Sequence, residues 1–251
     1  MANLIRSSKP ASEWTQHDLM AYHIQVVEED ELAFFGLEEH HLPPPEIADN
    51  FINFINAAAA RAAGQQLGQS ISRLFHQMGR AMVGNEAAVD NFSRSLFEST
   101  AYDNPTPQEV NIEVQYDLRF FVSGGIRSAR PNLAIVNNGF IRIVQENKSL
   151  KRRNSDPEPQ MIAQAIAAFR YNNLRREEPL PHETILGITM VGTTPTFYQI
   201  RVTTELLDAV SYGQFPDEET RVRVYTPAVG LAHGMLLLDN RSSILFELCS
   251  I

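Results

Sequence analysis

The stretch Leu133-Ala-Ile-Val-Asn-Asn-Gly-Phe-Ile-Arg-Ile-Val-Gln-Glu-Asn-Lys148 decides the fold. Leu133–Val136 is a short apolar strand. Asn137-Asn138-Gly139 is a hairpin-turn signal, because Asn and Gly tolerate positive φ. Phe140–Lys148 is then the returning strand. Side chains alternate faces along a strand, so Glu146 and Lys148 share one face.

Downstream, residues 149–156 form a basic polar loop. Asp156-Pro157 starts a helix, with Asp as cap and Pro at the first helical position. Met161, Ile162, Ala165, Ile166 and Phe169 make its apolar stripe. Ile185–Val191 and Thr196–Val202 are two further strands around a Gly192–Pro195 turn. Thr203 or Thr204 caps a short helix, and Ile244–Leu248 is a strand or a closing helix. Upstream, Val110, Ile112 and Val114 alternate with polar residues and Leu118–Val122 is an apolar run, so both read as strands. Helical spacing covers 86–100, 66–83 and 46–64, and a further helix is predicted over 12–35, capped by Ser12 or Thr15. Pro43-Pro44-Pro45 breaks the chain, and His40-His41 before it point apart as surface-loop residues. The order predicts an α/β fold: a mixed-sheet core over 85–251, preceded by a helical N-terminal extension over 1–84.

The 251 residues are 43% apolar and 20% charged, which excludes a disordered chain. A single cysteine, Cys249, excludes a disulfide framework and a zinc site built on several thiolates. No apolar run is long enough to cross a membrane and no secretory signal is visible, so the expected compartment is intracellular, nucleus or cytoplasm. The formal net charge of −9 excludes a chain that is basic throughout. Charge is uneven, however. Residues 125–176 hold ten basic and three acidic side chains, whereas residues 1–50 hold two basic and ten acidic ones. Coulomb attraction is local on the scale of a Debye length, so the basic segment can meet a polyanion.

A carboxylate and an ammonium side by side at a strand end suit phosphodiester hydrolysis. The carboxylate can hold Mg²⁺ or Mn²⁺, since hard cations prefer oxygen ligands. The lysine can orient a water and stabilise developing charge. A second ligand should come from the neighbouring strand, at whose mouth Asn132 follows Pro131. A further acid should come from the preceding helix, where Glu86 and Asp90 lie four apart on one face. Plain readings stand beside these: a solvent-facing Glu146–Lys148 pair, Glu86 and Asp90 as favourable charges at a helix start, Lys151-Arg152-Arg153 as a solvated loop, and Gln164 turned either to the site or to solvent.

Pro131-Asn132 followed by Glu146-Asn147-Lys148 resembles the signature of the PD-(D/E)XK nuclease superfamily, which has Pro-Asp on one strand and Glu-X-Lys on the next. Its core order is helix, three strands, helix, strand, with an acid on the first helix, and residues 85–202 follow that order. The strings Ile143-Val-Gln-Glu-Asn-Lys148, Pro159-Gln-Met-Ile-Ala-Gln-Ala-Ile-Ala-Ala-Phe169, Ile188-Thr-Met-Val-Gly192 and Pro195-Thr-Phe-Tyr198 are similar to a group of fungal proteins carrying this core, a resemblance that reaches Trp14–Tyr22.

The resemblance implies a Mg²⁺-dependent nuclease acting on nucleic acid, DNA in the first instance. Its metal would be held by Glu146, position 132, and Glu86 or Asp90, with Lys148 orienting the water. Lys151, Arg152, Arg153, Arg170, Arg175 and Arg176 would meet phosphates, and the helical first 84 residues would support dimerisation or limit access. The family's aspartate is Asn132 here, nearly the same shape but without the negative charge, so metal affinity and activity should fall. Either the chain is a substituted form of an active enzyme, or it is a natural member that has lost activity or draws a ligand from elsewhere. The rival reading is a catalytically silent module that binds nucleic acid or a protein partner.

Overall fold

The computed structural model describes residues 6–37, 47, 49–100, 110–152, 156–230 and 232–250. The expectations for His40-His41, the three prolines and Arg153 lie outside these. In chain order the elements are α1 (Gln16–Ala21), β1 (Ile24–Glu28), α2 (Glu31–Phe35), α3 (Asp49–Asn53), α4 (Ala57–Ala62), α5 (Gln69–Val83), α6 (Glu86–Ser99), β2 (Val110–Val114), β3 (Leu118–Val122), β4 (Gly125–Ala129), β5 (Leu133–Asn137), β6 (Phe140–Lys148), α7 (Glu158–Arg175), β7 (His182–Val191), β8 (Thr194–Thr203), α8 (Thr204–Tyr212), β9 (Thr220–Tyr225) and α9 (Leu238–Leu248).

Seven strands form one mixed sheet in the order β1-β9-β8-β7-β6-β5-β2. The β6–β7 and β1–β9 pairs are parallel and the others antiparallel. The α/β reading with a mixed sheet therefore holds. A two-residue turn joins β5 to β6, with Asn137 opposite Phe140 and positive φ at both Asn138 (50°) and Gly139 (79°). The parallel step from β6 to β7 needs a crossover, and α7 supplies it.

α7 lies over one face of the sheet, packed with Val144, Ile185, Ile200 and Val222. α5, α6 and α9 cover the other, packed with Ile143, Ile188 and Phe197. With both faces covered, β6 reads as a nearly continuous buried run. α7 is buried on several sides, and the fully buried Ala163, Ala165, Ala167 and Ala168 keep it slim enough to be enclosed. Gly187 on β7 is part of the same fit, since a Cβ there would come within 2.2 Å of Met161 Sδ.

Several expectations are corrected. The helix over 12–35 is instead a short 3-10 turn, α1, β1 and α2. Ile24-Gln-Val-Val-Glu28 is a β-branched run, and pairing with β9 outweighs a helical spacing that Leu19, Tyr22, Val26 and Val27 satisfied only loosely. His23, with φ 54°, turns the corner into the strand. The first 84 residues are thus not purely helical: they supply one edge of the sheet, and Trp14, Leu19 and Tyr22 are buried in the α7-side core. β3 leaves the main sheet to pair with β4, which the sequence reading passed over, around a turn at Ser123 and Gly124. β9, with the alternation Thr-Arg-Val-Arg-Val-Tyr, was also passed over. The final segment is a helix.

The C-terminal helix is tied down by a buried cation. Arg241 is 0% exposed, and its guanidinium donates to the carbonyls of Met235, Phe51, Phe54 and Ile55 at 2.6–3.1 Å. Burial lowers its pKa to about 10, which still leaves it charged at neutral pH. Replacing it with an apolar chain would orphan those carbonyls, so Arg241→Met should cost about 3 kcal/mol or more in denaturant unfolding.

Glu247, on the same helix, accepts from Tyr225 Oη (2.8 Å) and Ser243 Oγ (3.2 Å) through one oxygen, while its other oxygen is buried without a partner among the described residues. Burial raises its pKa to about 6. A raised carboxyl pKa stabilises the fold below the unfolded value near 4.5 and loses that contribution as pH rises through 6. Glu247→Gln should therefore be the more stable protein at pH 8, by about 2 kcal/mol, with the advantage vanishing toward pH 4.5 in paired melting curves.

Candidate functional site

β5 and β6 run antiparallel with Leu133 opposite Gln145, which brings Asn132 to the Glu146–Lys148 end of the hairpin. Glu146 is 3% exposed. Its Oε1 accepts from Lys148 Nζ at 2.6 Å and its Oε2 from Gln164 Nε2 at 2.8 Å. Lys148 Nζ also lies 3.5 Å from Gln160 Oε1. Gln160 and Gln164 are one turn apart on α7, so both reach the same strand end. The plain reading of a solvent-facing pair therefore fails, and Gln164 turns inward. Burial pushes the Glu146 carboxyl up, against the ammonium of Lys148 and the donor from Gln164, which favour the charged form.

Asn147 points to the other face, toward α6. Its Nδ2 donates to Asp90 Oδ1 (2.8 Å), and its Oδ1 accepts from Gln145 Nε2 (2.8 Å) and Ser93 Oγ (3.3 Å). Its backbone N donates to Asn132 Oδ1 at 2.9 Å. Asn132, Glu146, Lys148 and Asp90 are thus linked through one residue at one strand end. Burial raises the half-buried Asp90 carboxyl. The Asn147 amide opposes that shift, Glu86 adds to it, and Lys148 and Asn132 lower it. The two acids expected on the preceding helix therefore separate: Asp90 joins the network, and the more exposed Glu86 pairs with Arg152 at 3.4 Å. Asn85 caps α6 by accepting from Ala88 N at 3.3 Å, which starts the helix beside the strand end.

The available ligands are oxygens: the carboxylates of Glu146, Asp90 and Glu86 and the amide oxygen of Asn132. That donor type fits a hard divalent cation. In charge the set is short, because the fourth position is neutral, and among the described residues no three His, Cys, Asp or Glu side chains group closely enough to hold a metal. Gln164 Oε1 and Gln145 Oε1 flank the network and are buried without a partner among the described residues.

The expected phosphate-binding set divides. Lys151 and Arg152 lie in a short 3-10 turn just after β6, beside the site. Arg175 and Arg176 do not join them. Arg175 Nη2 lies 4.0 Å from where a Cβ on Gly139 would be, and Arg176 stacks over Phe140 and pairs with Glu183 at 2.6 Å. Phe140 and Glu146 are six residues apart on one strand, a span of about 20 Å. Arg170 lies over Phe121 and donates to the Arg119 carbonyl. Sequence reasoning weighed Gln164 without committing to it, and passed over Asn147, Gln160, Ser93 and Gln145. Two signals were readable: Asn147 has the opposite strand parity to Glu146, and Gln160 and Gln164 have i,i+4 spacing.

Because Gln164 alone among the described residues supplies Glu146 Oε2 with a donor, Gln164→Leu should destabilise the protein by about 1–3 kcal/mol at pH 7. The loss should shrink as the pH falls and Glu146 takes up a proton, which urea titrations at pH 7 and pH 4.5 would show.

No family model and no curated protein sequence matches this chain.

Proposed function

We propose that the chain is a nuclease-fold protein of the PD-(D/E)XK type, built to hydrolyse phosphodiester bonds of nucleic acid, DNA in the first instance, with Mg²⁺ or Mn²⁺. The observation that carries this reading is the ion pair between buried Glu146 and partly buried Lys148 at a central strand end, with Asn147 between them bonded to Asn132 and Asp90. Burying the Glu146 carboxylate is costly and a stable core gains little from it, so a buried acid beside a lysine at a central strand end supports a chemical role. The run α6, β2, β5, β6, α7, β7 is in keeping with the family's helix, three strands, helix, strand, with the β3–β4 hairpin inserted.

Glu146, Asp90 or Glu86 and the residue at 132 would hold the cation, which when bound would polarise a phosphate oxygen. Lys148 would orient the attacking water and donate hydrogen bonds to charge developing on phosphate. Gln164 keeps the Glu146 carboxylate aimed. Lys151 and Arg152, with Arg153, would meet the phosphate backbone beside the site. As written, the chain should be weak, because Asn132 contributes no charge.

A second reading, a catalytically silent module that binds nucleic acid or a protein partner, is favoured by one observation: both Glu146 oxygens and Asp90 Oδ1 already have protein donors, so the arrangement is satisfied without a cation.

A cleavage assay with Mg²⁺ and Mn²⁺ separates the two. Asn132→Asp should raise cation affinity and cleavage together. In that background Glu146→Ala should abolish cleavage, and Lys148→Ala should slow it on the order of 10²-fold while sparing cation binding. An Asn132→Asp protein that binds Mn²⁺ yet cuts neither DNA nor RNA would give the binding-module reading the field.

A further inference from the structure

We infer that Asn147, the middle residue of Glu146-Asn147-Lys148, is a positioning residue that aims Asp90 and the residue at 132 into the site; the inference rests on the nuclease-fold reading. The variable position of such a motif would ordinarily be a spacer. Here the side chain is 0% exposed and every polar atom on it is used. Its amide orientation is determined by its partners. Oδ1 receives both Gln145 Nε2 and Ser93 Oγ, so Nδ2 is left to donate to Asp90. The backbone N of the same residue donates to the side chain at 132. One residue therefore joins α6, the mouth of β5 and the end of β6, working from the sheet face opposite to Glu146 and Lys148.

The chemical consequence lies in direction. Asp90 reaches the strand end from a helix on the far face, where the Asn147 amide donates to its Oδ1 and the Asn132 side chain also interacts with its carboxylate; an aspartate at 132 would have no amide to donate, leaving Asn147 to hold Asp90. In an Asn132→Asp protein without the Asn147 amide, Asp90 would be free to change rotamer or to be drawn toward Lys148, which also acts on it. An aspartate at 132 would accept from the Asn147 backbone N as Asn132 does, so both helix and strand ligands would be set by residue 147. Ligand aim of this kind is worth ten- to a hundredfold in metal affinity.

The test uses the full chain carrying Asn132→Asp, with Mn²⁺ as probe and free Mn²⁺ read by electron paramagnetic resonance. Adding Asn147→Leu should weaken Mn²⁺ binding at least tenfold at a temperature well below the melting point, where circular dichroism shows the fold intact. Adding Asn147→Ser, too short to reach Asp90 and smaller than the residue it replaces, should do the same and serves if the leucine variant does not fold. A merely structural role would lower the melting temperature but leave the Mn²⁺ affinity of the folded protein unchanged; that result overturns the inference while leaving the nuclease reading in place. If Asn132→Asp alone binds no Mn²⁺, the nuclease reading falls and this inference falls with it.

Discussion

β6 is buried on both faces, and much of the molecule follows from that constraint. Of the seven residues Ile141–Asn147, all but Arg142 are buried between α7 on one side and α5 and α6 on the other. Over the first part of the strand this asks only for apolar residues, and Ile141, Ile143 and Val144 supply them. Over the last part the strand carries Gln145, Glu146 and Asn147 into the same dry space. Buried polar groups need partners, and these recruit them from each neighbouring element: Gln164 from α7, Asp90 and Ser93 from α6, Asn132 from the mouth of β5. The network at the strand end is thus a consequence of where β6 lies.

The protein buries charge in two ways. Arg241 has no carboxylate partner among the described residues; it donates to four backbone carbonyls and joins α9 to the α3–α4 region. Its partners cannot be displaced without unmaking the fold. Glu146 is satisfied by an ammonium and an amide on flexible side chains, which can exchange one partner for another. The first arrangement suits architecture. The second suits a group whose environment changes when something binds.

What was legible in the sequence divides along physical lines. The β5–β6 hairpin was readable because Asn138-Gly139 has few alternatives to a tight turn, and α6 and α7 because their apolar stripes are long. β1 was misread because five β-branched and polar residues next to a real helical turn satisfy two periods at once, and only the distant β9 decides between them. β3 was correctly read as a strand but assigned by default to the main sheet, since nothing local says which strand it pairs with. In the site, same-face parity gave Glu146 with Lys148, and helix spacing offered Glu86 and Asp90 without choosing between them. The choice depends on Asn147, whose reach across to α6 is a tertiary fact. Arg175 and Arg176 were grouped with the loop arginines by nearness in sequence, but eighteen residues of α7 carry them to the other end of β6.

The pairing of β1 with β9 has a consequence for how the chain acquires its structure. Ile24 is aligned with Thr220, so the strand made among the first is completed by the strand made among the last. During synthesis at about 5–20 residues per second, β1 would wait roughly 10–40 s for its partner. Through that interval a β-branched edge is without its neighbour, the situation in which strands find wrong partners. Residues 1–50 carry ten acidic and two basic side chains, and like charge of that kind opposes edge-to-edge pairing between copies of the segment.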